Sequence, residues 1–136
     1  MSVAAFFDLD QTLIEGNSAL LWARHERAHG QISAWQMARA VIWHGLYVLS
    51  VVDIEKAFAE ALRHYRGRPA AELEARTREW FHAQIAPLFR EQARRAIAEH
   101  REAGHRLVML TSSSGYEAAE AAQAWGFDDW LANVFP

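Results

Sequence analysis

The chain has 136 residues, a length typical of one domain, and 51% of them are hydrophobic. This composition, with six Trp, excludes a disordered protein, and a net charge of −3 gives no basic surface for nucleic acid. The absence of Cys excludes disulfides and thiolate chemistry. Because Met1 leads directly into apolar residues, we expect no signal peptide and a cytoplasmic protein.

The first predicted element is a strand from about Val3 to Phe7 that ends in two carboxylates. Alternate residues of a strand point to the same face, so Asp8 and Asp10 are expected side by side where the strand ends. Two carboxylates this close repel each other unless a cation or a proton lies between them. The pair therefore indicates a site for a divalent metal, although an acidic surface turn would give the same pattern.

A helical stretch follows, from about Ser18 to Leu88, and it differs in character from the sequence on either side of it. Caps, glycines and prolines divide it into four predicted helices, at about 18–28, 33–52, 53–65 and 69–88. The second helix is apolar, but its apolar run is shorter than a bilayer span and contains His44 and Gly45. We expect this helix to be buried in a helical subdomain rather than in contact with a membrane. Trp35, Trp43 and Tyr47 recur at helical spacing, however, and such an aromatic face would also suit an apolar substrate or a membrane surface.

The first of these helices contains His25-Glu26-x-x-His29, the pattern of zinc hydrolases. On a helix the two His side chains would share a face, with the Glu as general base. Arg27 would put a positive charge beside the proposed zinc ion. An ordinary amphipathic helix is the simpler interpretation, and a zinc hydrolase is the alternative function.

The chain returns to a strand pattern at Leu107 to Leu110, after a predicted helix at about 90–103. A wholly apolar strand is typical of a parallel sheet buried on both faces. The strand leads into Thr111-Ser112-Ser113-Ser114-Gly115 and then an Ala-rich helix from about Tyr116 to Trp125. Hydroxyls and N–H groups at a helix N-terminus can bind phosphate, although such a turn is more often only a helix cap. A third strand is predicted from Leu131 to Phe135.

Two of these patterns together resemble a known family, the haloacid dehalogenase-like hydrolases. Asp8-Leu9-Asp10-Gln11-Thr12-Leu13 resembles its first motif, with Gln11 where the family often has Gly, and the strand ending in Thr111 resembles its second. The resemblance is to the phosphoserine phosphatase-like members of subfamily IB. It implies an α/β fold with a Rossmann-like parallel sheet, here incomplete with about three strands, and an inserted helical-bundle cap. The core would comprise residues 1–16 and 89–136, and the cap residues 17–88.

The resemblance also implies a function, a Mg²⁺-dependent phosphatase acting on a small phosphorylated metabolite such as phosphoserine or histidinol phosphate. Asp8 would attack phosphorus and form an aspartyl-phosphate, and Asp10 would protonate the leaving alcohol and then activate water. Asp8 and Asp10 would also hold Mg²⁺. Thr111 and Ser112 would bind the phosphoryl oxygens.

Two further motifs of the family are absent from this sequence. The third is a Lys, but the only Lys is Lys56, upstream of the second motif. The fourth is an acidic pair after a later strand, whereas Asp128-Asp129 follows a helix. We therefore expect a truncated chain with impaired activity, whose Asp8 strand is a sheet edge open to self-association. A non-catalytic phosphate-binding remnant is a further alternative.

Overall fold

The computed structural model describes residues 1–133 apart from 54, 57, 58 and 60–62. Parts of the predicted helix 53–65 and the end of the predicted third strand, Val134 and Phe135, lie outside the described residues. The predictions for those positions are neither confirmed nor contradicted.

The described chain divides into two compact units, and each is considered by itself. The sheet unit comprises Met1–Ser18 and Glu74–Pro136, and the helical unit comprises Ala19–Leu73. The described elements are, in chain order, β1 (Ala4–Phe7), α1 (Ser18–Ala28), α2 (Ala34–Val48), α3 (Ala70–Trp80), α4 (Glu91–Glu102), β2 (Arg106–Ser114), α5 (Gly115–Trp125) and β3 (Asp129–Asn133).

The sheet unit contains a three-stranded parallel sheet in the order β1-β2-β3. Phe7 pairs with Met109, and Leu110 pairs with Leu131. The predicted α/β fold class, with a parallel sheet of about three strands, is confirmed. Among the described strands β1 lies at an edge of the sheet, as expected, while self-association through that edge stays a prediction.

The core of the sheet unit lies against one face of the sheet. Crossovers between neighbouring parallel strands are right-handed, which puts α4 and α5 on the same face. Both helices contact β2, and the core residues that they share with the strands are buried: Ala93, Ile97, Leu107, Met109, Ala118 and Ala121. Leu107 and Met109 face these helices, while Val108 between them is also buried, and an exposed residue first follows at Leu110.

The other face of the sheet is largely exposed in the described chain, although Val108 on this face is buried. Phe6 and Leu110 share this face with Leu131, because Phe6 pairs with Val108 and Leu110 with Leu131. Their side chains are 61%, 53% and 56% exposed, respectively. A parallel sheet is usually covered on both faces. The prediction that β2 is buried on both faces is therefore wrong for Leu110.

Residues 74–88, which were predicted to be part of the cap, cluster with the sheet unit. Trp80, Phe81 and Ile85 are almost fully buried, and the Phe81 ring centroid lies 5.4 Å from that of Trp125 at the end of α5. These contacts explain why the segment after α3 belongs with the sheet. The interpretation of residues 17–88 as a cap stays a prediction.

α2 of the helical unit differs from the expected buried helix. Of its described side chains none is buried, and Trp35 and Val48 are 68% and 64% exposed. The helix begins with a capping box between Ser33 and Gln36. It ends before Val52 because Ser50 has a φ of 58°, which interrupts a right-handed helix. Within the described ranges, no helix is long and apolar enough to cross a bilayer.

Candidate active site

The acidic turn, Asp8–Leu13, follows β1 directly. Asp8 is exposed, and its Oδ1 accepts a hydrogen bond of 2.7 Å from the N–H of Leu9. Asp10 is half-buried, and its Oδ1 accepts a bond of 2.8 Å from the N–H of Ser18. Leu9 and Leu13 are fully buried on the other side of the turn. The turn is therefore fixed by its apolar residues while its carboxylates remain accessible.

Gln11 has an unusual backbone conformation within this turn. Its φ of 58° lies in the left-handed region, which glycine adopts without a steric penalty. Its N–H donates to the carbonyl oxygen of Gly16 at 3.1 Å, which closes the loop. The geometry gives a physical reason for a preference for Gly at this position.

The hydroxyl segment, Thr111–Ser114, lies at the carboxyl end of β2. It was predicted as a turn, but it continues the strand with an irregular register against β3. Thr111 is buried, and its Oγ1 accepts a bond of 3.1 Å from the N–H of Ser113, whereas Ser112 is exposed. Ser114 caps α5 through a bond from the N–H of Glu117.

The acidic turn and the hydroxyl segment lie at the same edge of the sheet. Because β1 and β2 are parallel and Phe7 pairs with Met109, both strands reach their carboxyl ends there. Ser18 connects the two: its N–H binds Asp10, and its Oγ lies 3.2 Å from Oγ of Ser113. The candidate residues Asp8, Asp10, Thr111 and Ser112 therefore belong to one region, although their roles stay predictions.

Glu117 is part of this region and was missed in the sequence. It is only 5% exposed, and its carboxyl group lies beside the hydroxyls of Ser18 and Ser113. Burial raises the pKa of Glu117 to about 8, with a further rise from the charge of Asp10 and an opposing effect of the two hydroxyls. The sequence did contain a signal for this residue. Glu117 is a charged residue in the first turn of an Ala-rich helix, and that helix begins directly after the hydroxyl segment.

A hard divalent cation such as Mg²⁺ fits the donor atoms of the acidic turn. Mg²⁺ prefers oxygen ligands and is often held by one or two carboxylates together with waters. Asp8 supplies an exposed carboxylate, and Asp10 supplies a backbone carbonyl oxygen two residues later in the turn. Among the described residues there is no group of three or more His, Cys, Asp or Glu side chains that could hold a metal ion.

The zinc pattern in α1 forms different contacts from those of a zinc site. Glu26 is fully buried, and its Oε2 accepts a bond of 3.1 Å from the hydroxyl of Tyr65. That hydroxyl accepts a bond from the indole N–H of Trp22. His29 donates through Nδ1 to the carbonyl oxygen of His25 at 2.9 Å. A zinc hydrolase is therefore not favoured, and Glu26 has a structural role in the helical unit.

Lys56 and Asp128 do not replace the two missing motifs. Lys56 is exposed and lies 3.8 Å from Asp53 within the helical unit. Asp128 precedes β3, and its Oδ2 accepts a bond of 2.7 Å from the N–H of Leu107. The amino ends of parallel strands lie at the edge of the sheet opposite to the acidic turn. Asp128 therefore stabilises the start of β2.

The fold and these two motifs define a class of hydrolase, and comparison with known proteins gives the family. The profile of the haloacid dehalogenase-like hydrolases matches residues 5–136. The chain belongs to this family.

A relative and two solved structures extend the comparison. Over 98% of its length the chain is 30% identical to phosphoserine phosphatase SerB1 of Mycobacterium tuberculosis (strain ATCC 25618 / H37Rv), of which it covers 45%. A protein of unknown function from Bordetella pertussis Tohama I is 25% identical, with a TM-score of 0.85 over 98% of this chain and 61% of that one. A phospho-aspartyl intermediate analogue of phosphoserine phosphatase has the same fold, with 15% identity and a TM-score of 0.70 over 99% of this chain and 57% of that one. The chain spans less than half the length of the curated relatives it matches.

Proposed function

We propose that this chain carries the nucleophile and the phosphate-binding segment of a Mg²⁺-dependent phosphatase that acts on a small phosphate monoester. The observation that supports this most is the link through Ser18, which joins the acidic turn to the hydroxyl segment. Phosphoryl transfer requires a nucleophile, an acid and hydroxyl donors that lie beside one another. Membership of the family and the similarity to a phosphoserine phosphatase agree with this function.

Asp8 is the proposed nucleophile. One of its oxygens is held by the N–H of Leu9, and this bond orients the carboxylate at the end of β1. A carboxylate oxygen of Asp8 would attack phosphorus, forming an oxygen–phosphorus bond as the bond to the leaving alcohol breaks. The product of this step is an aspartyl-phosphate on Asp8, which water then hydrolyses to release inorganic phosphate.

Asp10 is the proposed general acid and base. Its Oδ1 accepts the N–H of Ser18, a bond that fixes the carboxyl group at the start of α1. Asp10 would give a proton to the oxygen of the leaving alcohol, and would then take a proton from the attacking water. Both transfers use the same side chain, so its orientation must be retained between the two steps.

Thr111 and Ser112 are the proposed phosphate ligands. The Thr111 oxygen already accepts the N–H of Ser113, which leaves its own O–H free to donate to a phosphoryl oxygen. Ser112 is exposed next to it. Mg²⁺, held by the Asp8 carboxylate and the Asp10 carbonyl oxygen, would neutralise phosphoryl charge when bound.

The proposed substrate is a small phosphorylated metabolite of the phosphoserine or histidinol phosphate kind. This proposal is supported by the similarity to phosphoserine phosphatase SerB1 and by the chemistry of the family.

The experiment is a comparison of the wild-type chain with Asp8→Asn and Asp129→Asn in hydrolysis of an aryl phosphate with Mg²⁺. Asp129 is exposed and begins β3, at the opposite edge of the sheet, so its variant is a matched control. We expect Asp8→Asn to lose all Mg²⁺-dependent hydrolysis and Asp129→Asn to retain it. Equal rates in the two variants would refute the proposed role of Asp8.

A further inference from the structure

Glu117 occupies a position that favours an apolar residue. It lies in the first turn of α5, on the face that buries Ala118 and Ala121 against the sheet. Its own side chain is 5% exposed. A carboxyl group in such a place loses hydration, and this loss destabilises the fold unless other contacts offset it.

The contacts of Glu117 offset this loss only in part. The hydroxyls of Ser18 and Ser113, whose oxygens lie 3.2 Å apart, are beside the carboxyl group and favour its charged form. Its Oε1, however, is buried and has no hydrogen-bond partner among the described residues. An unsatisfied buried oxygen destabilises the folded state, so stability alone does not explain a Glu at this position.

The two residues beside Glu117, Ser18 and Ser113, also bind the side chains of Asp10 and Thr111. Ser18 donates its N–H to Asp10, and Ser113 donates its N–H to Thr111. We infer that Glu117 is a positioning residue, which holds Ser18 and Ser113 together and so keeps the Asp10 carboxyl group and the Thr111 hydroxyl in a fixed relation. The roles of Asp10 and Thr111 in this inference rest on the proposed function, whereas the hydrogen-bond network does not.

Glu120 provides a comparison within the same helix. It is also buried, at 9% exposure, one turn further along α5. Its carboxylate instead binds Nε of Arg78 at 2.7 Å and Nε2 of His82 at 3.1 Å. Replacing Glu120 therefore disturbs the same helix without changing the group that faces Ser18 and Ser113.

The test is amide hydrogen exchange of Ser18, measured by NMR on the 136-residue chain. We expect Glu117→Ala to accelerate this exchange by about tenfold, because Ser18 loses a partner that holds it against Asp10. Glu117→Gln, which is isosteric and hydrogen-bonding, should restore the rate to within about threefold of wild type. Glu120→Ala should leave it at the wild-type value.

Ser113→Ala breaks the same network without altering α5, and it serves if Glu117→Ala does not fold. It should also accelerate exchange at Ser18. Unchanged exchange in Ser113→Ala, equal acceleration in Glu117→Ala and Glu120→Ala, or no rescue by Glu117→Gln would each overturn the inference. A wild-type chain that hydrolyses no aryl phosphate would count against the proposed function, while the exchange of Ser18 would still decide the role of Glu117.

Discussion

The backbone N–H of Ser18 donates a 2.8 Å hydrogen bond to Oδ1 of Asp10. This bond joins the first residue of α1 to the acidic turn. The N-terminus of a helix carries partial positive charge, so it favours a carboxylate at this position.

A pair of substitutions at Ser18 isolates this bond. Proline is tolerated at the first position of a helix, so Ser18→Pro removes the N–H with little disturbance of α1. Ser18→Ala loses the hydroxyl but retains the N–H. We expect Ser18→Pro to be less stable than Ser18→Ala by about 1.5–3 kcal/mol in urea unfolding, the range for a hydrogen bond to a charged group. Equal stability of the two variants would show that the bond contributes nothing.

Replacing Gln11 by glycine is expected to retain or increase the stability of the folded chain. A residue other than Gly with a left-handed φ costs about 1–2 kcal/mol, which offsets the larger entropy that Gly gives the unfolded chain. We expect Gln11→Gly to be as stable as wild type or more stable by up to about 1 kcal/mol in thermal unfolding. Thr12→Gly, in the same turn but without a positive φ, should be less stable by about 1 kcal/mol. The opposite order would contradict the backbone conformation of the turn.

The pKa of Glu117 predicts how stability depends on pH. Below pH 4.5 the folded and unfolded chains both hold the proton of Glu117, and the group makes no difference. Between pH 4.5 and about 8 only the folded chain retains it, so stability falls as pH rises, by up to about 1.4 kcal/mol per pH unit. Above about pH 8 this effect is complete.

Glu117→Gln removes this titration and gives a direct comparison. In urea unfolding without added metal ions, the stability of the variant relative to wild type should increase steadily between pH 4.5 and 8. A difference that does not change over this range would show that Glu117 is not protonated in the folded chain.

Two Leu residues test which side of the sheet unit carries the core. Leu13 is fully buried beneath the acidic turn, and Leu13→Ala should destabilise the chain by about 2–5 kcal/mol in urea unfolding. Leu110 is 53% exposed on the other face of the sheet, and Leu110→Ala should cost less than about 1 kcal/mol. A large loss for Leu110→Ala at high protein concentration alone would indicate that another copy covers this face.

Much of the fold could be predicted from local sequence. The apolar residues of β1 and β2 indicate strands, Ser33 indicates the start of α2, and Gly126 ends α5 with a φ of 75°. These features depend on residues close together in the chain, so the sequence alone is sufficient.

The remaining features depend on contacts between distant residues. Glu117 interacts with Ser18, far away in the sequence, and its burial follows from the packing of α5 against the sheet. Hydrophobic periodicity predicts that Trp80 and Phe81 are buried but not which unit buries them. The exposure of α2 could not be predicted either. An apolar helix has the same sequence pattern whether or not another element covers it.

The most direct test of the central claim is the location of the phosphoryl group during the reaction. The wild-type chain, Asp8→Asn and Asp129→Asn would be incubated with Mg²⁺ and an aryl phosphate, quenched in acid, digested, and analysed by mass spectrometry. This measurement detects a covalent intermediate even when turnover is slow. We predict a phosphorylated peptide containing Asp8 in the wild type and in Asp129→Asn, and none in Asp8→Asn. A phosphoryl group on another residue, or none on the wild-type chain, would contradict the account.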